Sequence, residues 1–286
     1  MALGSGSCPK SPARKRRRRR CRPYECFSIF SAARGRCDME RDRRRRLAKD
    51  LADRVARSRK DVVAVVLFGS VARGDDGPDS DVEMTAVVRR GGHEAQRFVL
   101  GGVLFNVYWS SAAGVRRHML EADGDATRHG FLDGIALYDP HGWFARLRGE
   151  VANLPASFYR QSAEDALHQM YEYVCKARNA KRRGDDRNVV YATGVIGASA
   201  RVVLALVNRR HYTSENTMTA EWRTFSDIPR NFGRYLAPLV AERASIERRY
   251  ESAIALWRLT RVWAARRGIR LKEVRSLREV RIPKTT

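Results

Sequence analysis

The stretch from Asp61 to Phe68 constrains the fold more than any other. Every residue after Asp61 in it is apolar, and most are β-branched valines. A short apolar run of this kind, closed by a turn, suits a buried β-strand. Gly69 and Ser70 end the run, and a short turn or helix follows through Ala72 to Gly74. Asp75 to Ser80 is turn chemistry, built from Asp, Gly, Pro and Ser. Asp81 to Val88 then reads as a second strand.

The rest of the chain sorts around this pair. Glu40 to Arg59 has helical spacing, with Leu47, Leu51, Val55 and Ala56 on one stripe. Phe98 to Trp109 carries a third strand with a Gly-Gly turn inside it. Ser111 to Ala122 reads as a helix and Ile135 to Tyr138 as a short strand. From about Pro155 the pattern becomes helical throughout: Ser162 to Arg183, Val189 to Arg210, Pro238 to Ile246 and Glu247 to Arg267. No internal repeat is visible. The expected fold class is α+β: an N-terminal mixed sheet with helices, followed by a C-terminal helical bundle. The expected units are a disordered basic tail over 1–38, an α/β domain over 39–150, a helical domain over 151–275 and a C-terminal tail over 276–286.

Charge is unevenly spread. Lys and Arg number 56 against 32 Asp and Glu, a formal net charge of +24. Residues 1–60 alone hold 21 Lys and Arg against six Asp and Glu. Arg14 to Arg20 is an unbroken basic run, and Arg43 to Arg46 is another. Such runs read either as an arm for nucleic acid or as a solvated, disordered tail. Nucleic acid is therefore expected as a partner only through this basic N-terminal tail. Met39, where the helical pattern begins, is a candidate start. No window of about 18 apolar residues exists, so no membrane span is expected. The basic N-terminus lacks the apolar segment of a secretory signal. Five cysteines, four of them before residue 38, do not suggest a disulfide scaffold, and their spacing signals zinc only weakly. These features point to a cytoplasmic globular protein.

Two groups of residues carry chemistry. Asp81 and Glu83 are two apart on a strand and so share a face. Adjacent carboxylates repel unless a cation lies between them. Mg²⁺ takes one or two carboxylates together with substrate phosphates, so this pair could cradle it. Gly69 permits close backbone approach, Ser70 offers a hydroxyl and Arg73 a guanidinium, all suited to phosphate. Taken alone, the pair could equally be two exposed strand carboxylates. The second group lies on one long helix. Glu172 and Lys176 are four apart and share a face with His168 and Asn179. Spacing alone fits an ordinary surface ion pair there.

The motifs add specificity. The segments Leu67 to Gly74 and Gly77 to Met84 resemble the signature of the DNA polymerase β-like nucleotidyltransferase superfamily. From roughly Arg46 to Leu271 the chain resembles the kanamycin nucleotidyltransferase family of aminoglycoside-modifying, antibiotic-resistance enzymes. The likeness runs through G-S-x-x-R and G-P-x-S-D-x-E-M, then Ala136 to Asp139, then E-Y-x-x-K-x-R-N at Glu172 to Asn179. The resemblance implies that Gly69, Ser70 and Arg73 hold nucleoside triphosphate, and that Asp81 and Glu83 are catalytic ligands of Mg²⁺. It also implies that Glu172 is the general base, that Lys176 is a phosphate ligand, and that a homodimer forms active sites between subunits. The acceptor it implies is a small hydroxyl compound.

Some positions depart from the family. Asn106 stands where the family has a third carboxylate; it can ligate through its carbonyl but brings no charge. The family acid one turn before Glu172 is His168 here. An acidic family position before the third strand falls near Gln96 or Arg97, with Glu94 close by. Glu121 and Asp123 keep an acidic cluster. Asn106, Glu121, Asp123, His168 and Asn179 are therefore the candidate acceptor contacts. With fewer acids to meet a polycation, the acceptor could also be a protein or another small molecule. A weakly active homologue that binds nucleotide or nucleic acid is a further alternative.

Overall fold

The computed structural model describes residues 23–122, 129–241, 243–274 and 276–279. Helix α1 (Pro23–Ser58) leads into β1 (Val62–Phe68), the short α2 (Gly69–Arg73) and β2 (Val82–Val88). β3 (Glu94–Leu100), β4 (Val103–Ser111), α3 (Ala112–Leu120), α4 (His129–Leu132), β5 (Ile135–Tyr138) and α5 (Trp143–Ala152) complete the first half. The second half is helical: α6 (Ala156–Arg182), α7 (Asp186–Val207), α8 (Met218–Glu221), α9 (Phe232–Val240) and α10 (Ile246–Ala265). The fold class is α+β, as the sequence pattern indicates.

The sheet has five strands in the order β3-β4-β2-β1-β5. It is mixed, because β2 runs parallel to β4 while the other neighbouring pairs are antiparallel. The valine-rich β1 lies inside the sheet and alternates between two cores. Val65 and Leu67 pack with Ala48, Ala52 and Val55 of α1. Ala64 and Val66 pack on the other face with Val115, Phe144, Leu147 and Val151. An all-apolar strand is what burial on both faces requires. β2 is different: Val82, Met84 and Ala86 enter the α1-side core, and Glu83 and Thr85 stay half-exposed on the opposite face. α3, α4 and α5 cover only part of that opposite face, and the uncovered part forms a cleft.

Several expectations shift. The helix expected from Glu40 begins at Pro23, so residues 23–38 are helical rather than tail. Proline is favoured in a first helical turn, where its missing N–H has no partner to lose. Residues 1–22, with the first basic run, lie outside the described residues. The expected third strand is two strands, β3 and β4, joined at Gly101 and Gly102. Both glycines have positive φ, 58° and 84°, as a tight primed hairpin turn demands. The helix expected from Pro238 to Ile246 is instead α9, and Pro238 lies in its last turn. The buried stripe of Phe232, Leu236 and Leu239 sets its position.

The basic run Arg43 to Arg46 is not a solvated arm. Arg43 donates to the Gly101 carbonyl at 2.5 Å. Arg44 is fully buried and ion-paired with Asp76 at 2.7 Å. Arg45 donates to the Val71 carbonyl at 3.2 Å. Sequence alone showed four like charges; the docking of α1 buries Arg44 and sets Arg43 and Arg45 against backbone carbonyls at the surface.

The helical half packs around α6, α7 and α10, with Leu167, Met170, Ile196, Leu204, Tyr212 and Leu256 at its centre. α7 is long and apolar enough to span a bilayer, yet most of its apolar surface is inside this core. Asp139, just after β5, caps α5 by accepting from Trp143 N at 2.7 Å and Phe144 N at 3.0 Å. This cap fixes the chain as it leaves the sheet for the bundle.

Candidate active site

The cleft has a volume of about 1440 Å³. Its floor is the end of β1 and the start of β2. Gly69, Ser70 and Arg73 line one side, and Asp81, Glu83 and Thr85 project from the strand. The sequence pattern thus brings the G-S turn and the paired acids together. Strand alternation places Glu83 on the cleft face, and antiparallel pairing sets it opposite Phe68, one residue before Gly69.

Gly69 sits beside Glu83 with a left-handed backbone that favours glycine. Its φ is +70°, and a Cβ there would lie 2.2 Å from Glu83 Oε2. Gly69→Ala should therefore displace the Glu83 carboxylate and strain the backbone. It is expected to cost about 1–3 kcal/mol of stability and to weaken Mn²⁺–ATP binding by about tenfold or more. Thermal denaturation and Mn²⁺–ATP titration would check this; unchanged values in both would show that the contact does not matter.

The electrostatics favour a cation. Burial pushes the Glu83 carboxyl above its ordinary range, the Asp81 carboxylate beside it pushes the same way, and Arg73 opposes both. Arg73 also donates to Asp75 at 3.1 Å, which holds its guanidinium at the rim. Asn106 lies beside Glu83 in the parallel register of β2 and β4. Its amide donates to Asp81 Oδ2 at 2.5 Å. The position that the resemblance gives to a third acid therefore steadies Asp81. Two carboxylates and one amide suit Mg²⁺, which relies on substrate phosphates and water for its other ligands. Among the described residues no cluster of three or more His, Cys, Asp or Glu could hold a metal, and Mg²⁺ does not need one.

Other expected residues lie elsewhere. Glu172 and Lys176 form an exposed ion pair at 2.6 Å on α6, and α6 contributes nothing to the cleft wall. The hydrogen bond from Lys176 to Glu172 holds the lysine above its ordinary range, and its ammonium sits 4.3 Å from the Tyr173 ring centre. Asn179 is exposed on the same helix and accepts from Arg182 at 3.3 Å. His168 is occupied at both ring nitrogens. Nδ1 donates to the Glu164 carbonyl at 2.7 Å, and Nε2 accepts from Lys272 N at 3.1 Å. It ties the C-terminal segment to α6 and has no nitrogen left for a ligand. Glu121 is exposed at the end of α3, outside the cleft wall, although Arg117, His118 and Met119 of that helix line it. Asp123 lies outside the described residues.

The cleft also has a wall that the sequence reading missed. Thr213 to Thr217, between α7 and α8, reach it from the helical half. Ser214 and Thr217 hydrogen-bond to each other, and Thr213 N donates to Glu221 at 3.0 Å, so this loop is internally braced. On the sheet side, His93 stacks on Tyr108 with ring centres 6.0 Å apart. No periodicity or motif marks these residues, because only the packing of the two halves brings them to one cavity.

Comparison with known proteins finds matches in both halves of the chain. The family described as nucleotidyltransferase domain matches residues 45–93, which span the end of α1 through β2. The KNTase C-terminal domain family matches residues 141–270, the region of α5 to α10. Aminoglycoside nucleotidyltransferases (4') of Staphylococcus aureus and of a Bacillus species are each 23% identical over 236 residues, covering 80% of this chain and 93% of the relative. A nucleotidyltransferase-like protein from Exiguobacterium sibiricum 255-15 shares the fold with a TM-score of 0.50 at 12% identity, over 71% of this chain and 69% of that one. Matched in both halves and carrying the G-S turn beside paired acids, the chain belongs to the kanamycin nucleotidyltransferase-like family and is a nucleotidyltransferase.

Proposed function

We propose that this enzyme is a cytoplasmic, Mg²⁺-dependent transferase that moves a nucleoside monophosphate from a nucleoside triphosphate to a hydroxyl of an aminoglycoside. The observation that carries the reading is the meeting of Asp81 and Glu83 with Gly69 and Ser70 in one cleft. The working units are the sheet domain of residues 39–150 and the helical domain of residues 151–275. The names of the relatives support the acceptor class. So do Asp75, Asp79 and Glu215 on the cleft wall, whose charge suits ammonium groups.

Asp81 and Glu83 would hold Mg²⁺, which supplies charge neutralisation for the triphosphate and the leaving pyrophosphate. Gly69 and Ser70 position the phosphates, and Arg73 adds a guanidinium to them. Glu172 takes the proton of the acceptor hydroxyl as that oxygen attacks the α-phosphorus in line. The bond from the α-phosphorus to the bridging oxygen breaks, and Lys176 neutralises the departing charge. In this reading Glu172 and Lys176 come from a second copy of the chain. Their exposure, and the absence of α6 from the cleft wall of one copy, support such a homodimer.

The test incubates the full chain with Mg²⁺, ATP or GTP, and aminoglycosides with and without a 4'-hydroxyl. Mass spectrometry of the acceptors should show addition of one nucleoside monophosphate only where that hydroxyl is present. Unmodified aminoglycosides, with the nucleotide bound, would sink the acceptor assignment and turn the search to other hydroxyl compounds.

A further inference from the structure

Arg44 lies on α1, behind the cleft, and is only 1% exposed. Its guanidinium is fully engaged inside the protein. Nε donates to Asp76 Oδ2 at 2.8 Å, Nη2 to the Gly77 carbonyl at 2.8 Å and Nη1 to the Pro78 carbonyl at 3.1 Å. Asp76 is itself buried, and its other oxygen accepts from Arg41 at 3.0 Å. One fork thus holds three consecutive residues of the turn between α2 and β2. The turn is then tied toward the strand: Gly77 N donates to Ser80 Oγ at 2.9 Å, and Ser80 N to the Gly77 carbonyl at 3.2 Å. Asp81 follows directly. The neighbouring Arg45 holds α2 through the Val71 carbonyl, and α2 carries Ser70 and Arg73.

A buried ion pair is a poor source of net stability, because two charges must be desolvated to make it. What this pair supplies is a unique geometry. A lysine could neutralise Asp76, but its compact ammonium could not address a carboxylate and two separate carbonyls in one plane. We propose that Arg44, through Asp76, Gly77 and Pro78, is a positioning residue that sets Asp81 against Ser70 and so fixes the affinity for the metal–nucleotide, touching neither. This rests on the reading of Asp81, Glu83 and Ser70 as the metal–nucleotide site.

The test measures Mn²⁺–ATP binding to the full chain by the loss of the free Mn²⁺ resonance, well below the melting temperature. Arg44→Lys keeps the charge and loses the fork, and binding should weaken by about tenfold or more. Leu147→Ala, in the core on the other side of the sheet, provides a variant of lowered melting temperature with the fork intact, and it should bind as wild type does. If wild type does not bind, or Asp81→Asn binds as well, the site reading itself fails. If Asp81→Asn loses binding while Arg44→Lys stays within about twofold of wild type, the positioning role is overturned. Equal losses in Arg44→Lys and Leu147→Ala would overturn it too, since that would be general destabilisation. Should Arg44→Lys not fold, Arg44→Gln carries the test: its amide can reach one acceptor but cannot span the carboxylate and both carbonyls, and near-wild-type binding by it would overturn the inference.

Discussion

Asp81→Asn should reduce nucleotidyl transfer by about a thousandfold or more, the loss expected when about 4 kcal/mol of transition-state stabilisation goes with a metal ligand. The substitution is nearly isosteric. Asn106 now donates to Asp81 Oδ2, and the amide oxygen of an asparagine at 81 can accept the same bond. Melting temperature should therefore change little, which separates the chemical effect from unfolding. The Glu83 carboxyl should also fall back toward its ordinary range, because the Asp81 charge is one of the causes that raise it. Steady-state kinetics and thermal denaturation of the same preparation would check both. Transfer within about tenfold of wild type would remove Asp81 from the metal site.

Glu172→Gln should behave differently. Mn²⁺–ATP should bind as it does to wild type, and transfer should fall by about 10²–10⁴-fold, the usual contribution of a general base. The fold should tolerate the change, since the pair with Lys176 is exposed and such pairs contribute little to stability. Normal transfer would place the base elsewhere. The two variants also test each other. If Asp81 and Glu172 of different copies share each site, a mixed dimer of the two variants has one site with both residues intact. Random mixing should then restore about a quarter of wild-type activity. If both residues act within one copy, mixing restores nothing.

These two residues also mark how far the sequence could be read. Asp81 and Glu83 were legible because strand alternation is local: apolar Val82 and Met84 must enter the core, so the acids between them must leave it. Gly69 was legible as the glycine of a strand-end turn that lets backbone approach a phosphate, whereas its closeness to the Glu83 carboxylate appeared only in the structure. Glu172 was legible as a residue type in a family pattern, but not as a place, since helical spacing says only which residues share a face. His168 shows the same limit. Its spacing put it beside Glu172, and its two nitrogens proved to be taken by the Glu164 carbonyl and by Lys272.

The arginine run is the clearest separation. By itself the sequence determined the mixed α+β class, the buried valine strand, the paired acids and the turn that faces them, because each follows from the alternation or chemistry of neighbouring residues. Only the tertiary structure decided that Arg44 is a buried clamp rather than a solvated charge, and that Thr213 to Thr217 reach the same cleft as Asp81. The reason is physical. A charge run looks the same in sequence whether water or backbone carbonyls satisfy it, and the choice is made only when α1 docks on the sheet; likewise a loop joins the cleft only when the helical half packs beside it.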